Sequence, residues 1–440
     1  MDCYNLAPEI PREPETAAMA TFRWQVGESV LLFPADLDRL IRLLALEHRV
    51  IGPQVADGAV VLRDIESADQ LPTGWLDFQD GGVYRLHRDA AAGPFDHVVG
   101  PHSLKNFLFP ARESVAGYTR DSGQWRPQPA PPTPRPLAVI GVRGCDLAAL
   151  AIQDRVFLGS DSGGSGHVDP AYQARRKGLF LVAVNCRRAA ATCFCHSTAS
   201  GPAACSVSGG RSADLVLTDL GPGPGGTAES GAVGCDVSCH PGGERRFACR
   251  IESDSGATVI GRLAAQSPLS ELSLDDGAVA VRVPLELEQR MTDRPSHPAA
   301  GPRGRSLDTE NIRDLLFSNL DHPRWDEVAT RCLSCTNCTL VCPTCFCASV
   351  TEVADLSGDN VTRERQWASC FTLDHARMHG QSVRHTTASR YRQWLTHKLG
   401  SWIDQFGTSG CTGCGRCITW CPVGIDLTEE VAAIRKAPLP

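Results

Sequence analysis

This sequence predicts two unlike halves: an α/β N-terminal domain containing a βαβ unit, and an all-α C-terminal domain organised by cysteines. Three observations carry that expectation. Two apolar runs of strand length, Ala138–Val142 and Leu179–Val184, flank a helical stretch that begins at Asp146 and runs through Leu147, Leu150 and Ile152. Strand, helix and strand in that order imply parallel strands joined by a crossover. The last third carries one cysteine pattern twice: Cys332, Cys335, Cys338, Cys342, then Cys411, Cys414, Cys417, Cys421, each trailed by a proline (Pro343, Pro422). The long segment between the two runs reads as helical, most clearly from Ser389 to Trp402.

Taken in order, residues 1–20 lack periodicity and read as a loose tail. Leu37, Leu40, Ile41 and Leu44 fall at helical spacing behind Pro34, a good first-turn residue. Strand-like pieces follow at Val50–Ile51 and Ala59–Leu62, and Asp121–Pro136, rich in Pro, Gln and Ser, reads as a linker or long loop. Ala213–Leu217 adds a further strand after the βαβ unit. Gly221–Gly243 is a Gly/Pro-rich insert. Residues 291–306 read as the linker between an α/β domain (21–290) and the cysteine domain (307–440). Beyond it, Ile312, Leu315, Leu316 and Leu320 make a helical stripe behind Asp308. Pro323 opens the next helix, and Asp426 with Glu429 resembles a capping box for a last helix carrying Val431 and Ile434.

Each cysteine run reads C-x-x-C-x-x-C-x-x-x-C-P, the pattern that binds a 4Fe-4S cluster. Three thiolates so spaced wrap three corners of a cubane from one turn of backbone. The fourth corner faces away, and in two-cluster proteins the last cysteine of each run serves the other cluster. The ligand sets expected are therefore Cys332, Cys335, Cys338 and Cys421, and Cys411, Cys414, Cys417 and Cys342. Zinc knuckles lack the trailing x-x-x-C-P, and a disulfide framework belongs to secreted chains. The C-terminal half is thus expected to be an all-α two-cluster ferredoxin domain that passes single electrons.

Composition agrees. Twenty cysteines without a visible secretory start point to reduced thiols in a cytoplasm, used as metal ligands. No apolar run reaches membrane-span length. A net charge of -7 argues against nucleic acid as a main partner.

A second set, Cys145, Cys186, Cys193 and Cys195, gathers around the carboxyl ends of the two βαβ strands, where α/β sheets build sites. It suits a third metal site, iron–sulfur before zinc, or else buried inert cysteine. Cys345, Cys347 and Cys370 lie near the first run and could replace a ligand or tune a cluster by S–H contacts, but read first as packing around a cofactor. Cys235, Cys239 and Cys249 could make a metal site with His240, but read first as loop residues. Gly221, Gly223 and Gly226 match G-x-G-x-x-G, but Pro222 and Pro224 remove donors and no helix follows, so a turn is expected. Arg390, Arg392, Trp394, His397 and Lys398 suit either a docking or charge-screening face or an ordinary helix with a core Trp.

Longer strings carry a resemblance. Arg331–Cys335, Val341–Cys347, Ser389–Trp394, Gln405–Gly407 and Gly415–Asp426 resemble the iron–sulfur beta subunit of cytoplasmic sulfhydrogenases, the NADP-linked NiFe hydrogenases. Val99–Ser103, Phe107–Pro110, Gly141–Asp146 and Thr192–Cys195 extend the likeness through the first half. The A subunit of anaerobic sulfite reductase is similar in layout. The resemblance implies an electron-transfer subunit with two 4Fe-4S clusters, and a third iron–sulfur cluster if the Cys145 set holds one. It implies as partners a flavin/NAD(P)-binding subunit and the small and large NiFe hydrogenase subunits.

Overall fold

A computed structural model of the chain describes residues 24–129, 135–159, 167–204, 213–223, 243–294 and 304–439. The expected tail at 1–20, Gly226, Cys235, Cys239, His240 and residues 295–303 of the expected linker lie outside the described residues.

The strands of the first half are β1 (Ser29–Leu32), β2 (Arg49–Ala56), β3 (Ala59–Asp64), β4 (Trp75–Asp80), β5 (Val83–Arg88), β6 (Arg112–Asp121), β7 (Gln124–Pro127), β8 (Leu137–Val142), β9 (Phe180–Val184), β10 (Leu215–Pro222), β11 (Arg245–Ile251) and β12 (Ser270–Glu271). Eight of them form one sheet in the order β12-β1-β11-β10-β9-β8-β2-β3. Its centre, β10-β9-β8-β2, is parallel, and both flanks are antiparallel. The helices of this half are α1 (Pro34–Ala45), α2 (Lys105–Leu108), α3 (Gly144–Phe157), α4 (Pro170–Arg176), α5 (Asp254–Gln266) and α6 (Leu274–Thr292). The βαβ unit is β8, α3 and β9, as the apolar runs predict.

Period-two alternation explains the layers. Ala138, Ile140, Phe180, Val182, Val184, Leu215 and Leu217 face one way, and α1 and α5 cover them with Leu37, Leu40, Ile41, Val259, Ile260 and Leu263. Leu137, Val139, Leu181, Ala183 and Val216 face the other way, under α3 with Leu147 and Leu150. A central parallel sheet buried on both faces reads as continuous apolar runs, which is why these strands were legible. Pro34 opens α1, and Asp36 accepts the Phe33 N–H at 2.9 Å.

The second half holds α7 (Ile312–Ser318), α8 (Arg324–Arg331), α9 (Asn337–Leu340), α10 (Thr387–Thr396), a π turn (His397–Ser401), α11 (Trp402–Phe406), α12 (Arg416–Thr419) and α13 (Leu427–Lys436). Asp426 caps α13 by accepting the Thr428 N–H. This half is not all-α. Between the cysteine runs lie β13 (Ala348–Ala354) and β14 (Asn360–Trp367), and a short pair, β15 (Arg377–Met378) with β16 (Gln381–Ser382). β13 and β14 join β6 and β7 in an antiparallel sheet ordered β13-β14-β6-β7. The expected linker at Asp121–Pro136 is corrected by the same sheet: residues 121–127 complete the β6–β7 hairpin, turning at Ser122 and Gly123, both with positive φ. Both strand pairs are largely solvated and polar, so neither gave the apolar signature of a strand.

Candidate metal centre

The two cysteine runs adopt the same backbone trace. Ser334 and Thr336 sit in the left-handed region at φ 50° and 70°, and Gly413 and Gly415 occupy the equivalent places at 59° and 76°. In each run the residue after next donates its N–H to the first sulfur: Ser334 to Cys332 Sγ and Gly413 to Cys411 Sγ, both at 3.4 Å. Each run then enters one turn of helix, α9 or α12. Such turns hold three sulfurs on one side of the loop, at a conformational cost of order 1–3 kcal/mol for each non-glycine residue. The second run needs glycine for a further reason. A Cβ on Gly413 would lie 2.6 Å from the Phe194 backbone, and one on Gly415 2.4 Å from Thr192 O.

One cavity is lined jointly by Cys332, Cys335, Cys338 and Cys421, with Phe371, Tyr391 and Trp394 as its apolar wall. Cys417 also borders it. Burial raises the Cys338 thiol well above its ordinary range, and the Cys370, Cys332 and Cys421 sulfurs add to the effect. Burial likewise pushes Cys411 up to about 12, with Cys414 and Cys342 adding and Lys398 opposing. Cys417 is raised by burial and by Cys411, Cys414 and Cys342. Cys421 thus borders the cavity of the first run's Cys332, Cys335 and Cys338, and Cys342 acts on Cys411 and Cys417 of the second. Such crowded, desolvated thiols cannot all ionise unaided. A cationic iron core supplies the missing charge, so the residues present fit the group. Among the described residues no three His, Cys, Asp or Glu side chains converge as tightly as a single metal ion requires. A cubane spreads its thiolates wider than one ion does.

Cys342 departs from the other thiols of the two runs. A hydrogen bond from Cys345 and the Lys398 ammonium hold it well below the ordinary thiol range, against the effect of burial. Thr344 Oγ1 lies 3.1 Å from its sulfur.

The α/β domain delivers its own cysteines to the same region. Cys145 lies at the start of α3, Cys186 just beyond β9, and Cys193 and Cys195 in the loop that follows. Together with Cys414 they share one buried cluster. Burial pushes Cys193 up to about 12, helped by Cys186 and Cys414. Cys195 is raised by burial and by Cys193, Cys186 and Cys414. Arg143 Nη1 stands 4.0 Å from Cys186 Sγ, its guanidinium fixed by the Phe95 and His97 carbonyls at 2.7 and 2.9 Å.

Several surroundings differ from expectation. Cys249 is not a loop residue: it is fully buried in β11 within the main core. Gly221 and Pro222 end β10, where the Gly221 N–H bonds Asp219. The basic stretch at 390–398 turns largely inward. Arg390 is buried and donates to the Arg384 and His385 carbonyls, Trp394 packs in the core, and Lys398 reaches Cys342. Arg392 is spent on the Leu320 carbonyl. Sequence reading missed the β4–β5 hairpin altogether as part of the site. Its turn residue Gly82 donates to Ile418 O at 3.1 Å, Tyr84 stacks on Trp420 at 5.0 Å, and Gln79 accepts from Thr419. Its turn glycines, Gly81 and Gly82, were the one available signal.

With this geometry in place, comparison with known proteins gives the class first. Residues 331–425 match the 4Fe-4S dicluster domain family, a stretch that spans both cysteine runs. This is an iron–sulfur electron-transfer protein. Over 303 residues it is 26% identical to sulfhydrogenase 2 subunit beta of Pyrococcus furiosus, covering 68% of this chain and 74% of that one. The resemblance read from the sequence is therefore borne out well beyond the cysteine runs. No helix among the described residues is long and apolar enough to cross a membrane.

Proposed function

We propose that this chain is the electron-relay subunit of a hydrogenase complex, carrying electrons between a flavin/NAD(P)-binding subunit and the small and large subunits of a NiFe hydrogenase. The similarity to a sulfhydrogenase beta subunit favours that setting over a sulfite reductase. The observation that carries the reading is the cavity shared by Cys332, Cys335, Cys338 and Cys421. It supports crossed ligation, with Cys411, Cys414, Cys417 and Cys342 as the second set. Each cluster would supply one reversible electron. The protein's part is to hold the two close, exclude water and set their potentials through charge and hydrogen bonds to sulfur. Cys335 is exposed, beside Leu333 (63% exposed) and Val423 (40%), so the first cluster is the end offered to a partner. Cys145, Cys186, Cys193 and Cys195 would hold a third cluster next to Cys414 of the second. Among the described residues no three of these side chains converge as a single zinc ion requires, which favours iron–sulfur over zinc.

Iron and acid-labile sulfide analysis of the anaerobically reconstituted chain tests this. About eight irons per chain means two clusters and about twelve means three. Fewer than about six would sink the two-cluster assignment. Cys421→Ala is expected to abolish the electron paramagnetic resonance signal of the Cys332 cluster. Loss confined to the Cys411 cluster would show the ligation to be uncrossed.

A further inference from the structure

Two lysines are buried beside the second cysteine set. Lys398, 4% exposed, lies in the π turn, and its Nζ donates to Cys342 Sγ at 3.2 Å, Thr344 Oγ1 at 3.1 Å and Gly410 O at 3.1 Å. Lys105, 2% exposed, donates to Leu340 O at 2.9 Å and Thr339 O at 3.2 Å and stands 3.9 Å over the Trp367 ring. Among the described residues neither ammonium has a carboxylate partner. A buried cation without a counter-ion is costly, so an anion is required nearby. The groups able to supply it are the sulfurs of Cys342, Cys345, Cys347 and Cys411.

The placement is specific. Gly410 donates its N–H to Lys398 O at 2.8 Å, and a Cβ there would meet the Trp402 ring at 2.7 Å. The residue just before Cys411 is thereby drawn onto the lysine turn. π turns recur at functional sites. Among the described residues no lysine donates to a sulfur of the other cysteine set. The cavity of Cys332, Cys335, Cys338 and Cys421 is walled by aromatic and aliphatic side chains, with no lysine or arginine in its lining. Arg390, which reaches Ser334 in that lining, ends on carbonyls and on the Ser334 and Thr387 hydroxyls.

We propose that Lys398, backed by Lys105, is the residue that sets the potential of the Cys342/Cys411/Cys414/Cys417 cluster. An added electron makes a thiolate-ligated cluster more negative, and burial makes that gain unfavourable. An ammonium hydrogen-bonded to one ligand sulfur stabilises the reduced form and offsets the burial. The lysine keeps its proton throughout; one electron arrives and one leaves. The inference rests on the crossed ligation proposed above.

The test is a potentiometric titration of the reconstituted full-length chain, with dithionite as reductant and each cluster's signal read by electron paramagnetic resonance. Iron content and the effect of Cys342→Ala on the Cys411 cluster check the ligation separately. In Lys398→Gln the signal that disappears in Cys411→Ala should move to lower potential. At a fixed potential its reduced-to-oxidised ratio should fall at least tenfold, about 59 mV for a one-electron couple. The other signal should stay in place, and Lys398→Arg should restore most of the shift. No movement at full iron content, or movement of the other signal, overturns the proposal. Should Lys398→Gln lose iron, Lys105→Gln decides: the same signal moves the same way by less, or the proposal falls.

Discussion

At Cys249 burial in β11 pushes the thiol from an ordinary 9.0 up to about 12. The folded pKa is raised, so this residue's contribution to stability is full below pH 9 and is lost as pH climbs towards 12. At pH 8 the folded chain should alkylate at Cys249 with iodoacetamide at least about tenfold more slowly than the urea-unfolded chain, read by peptide mass mapping. Equal labelling would show the thiol to be accessible. Cys342 is the opposite case, a buried sulfur held low by Cys345 and Lys398. Residue type told which groups could do chemistry here. It did not tell which of the cysteines would be inert, because that depends on what burial brings alongside.

The ligand loops show what an element adds. Their left-handed positions are filled by Ser334 and Thr336 in one run and by glycine in the other. The difference comes from the neighbour: the second loop packs on the backbone of 192–195, leaving no room for Cβ. Gly415→Ala should therefore part the two loops and remove the iron held by Cys411, Cys414 and Cys417, while leaving the Cys332 cluster spectroscopically intact. An unchanged iron count would mean the loop relaxes freely. The spacing of the cysteines was legible because cubane geometry fixes it locally. The β13–β14 hairpin was not: Val350 and Val353 stay exposed, and its strands are recruited by β6, far away in sequence. Valines and threonines around the Ser357–Asp359 turn were the signal available, and a helical reading of the segment passed over them.

The whole molecule is joined at Arg416, which follows Gly415 in the ligand loop yet is buried against the first half. Its Nη1 meets Asp146 Oδ1 at 2.9 Å, and it donates to Gly100 O at 2.8 Å and His102 O at 3.0 Å. Asp146 is the third residue after Arg143, which follows the end of β8, and stands beside Cys145 in the chain. Arg416→Met leaves that carboxylate buried and unpaired, and should cost about 3–5 kcal/mol in urea unfolding of the apo chain. Adding Asp146→Leu should return part of it. A loss under about 1 kcal/mol for the single variant would show the pair to be solvated. A second tie, Arg305 to Asp426 at 2.8 Å and Asp80 at 2.7 Å, joins the start of the cysteine domain to α13 and the β4–β5 hairpin.

The parallel core and the two cysteine runs were written in the sequence alone. Both are local codes: continuous apolar runs for strands buried on two faces, and fixed spacing for thiolates around one cubane. Only the tertiary structure decided which sulfurs face which. It brought Cys421 to the first run, Cys414 to the Cys145 set and Lys398 to Cys342, and it built one sheet from residues of both halves. Those pairings depend on close packing between segments hundreds of residues apart in some cases, such as Arg416 with Asp146. No spacing rule within a segment encodes such a meeting, because its energy appears only when both partners are buried together.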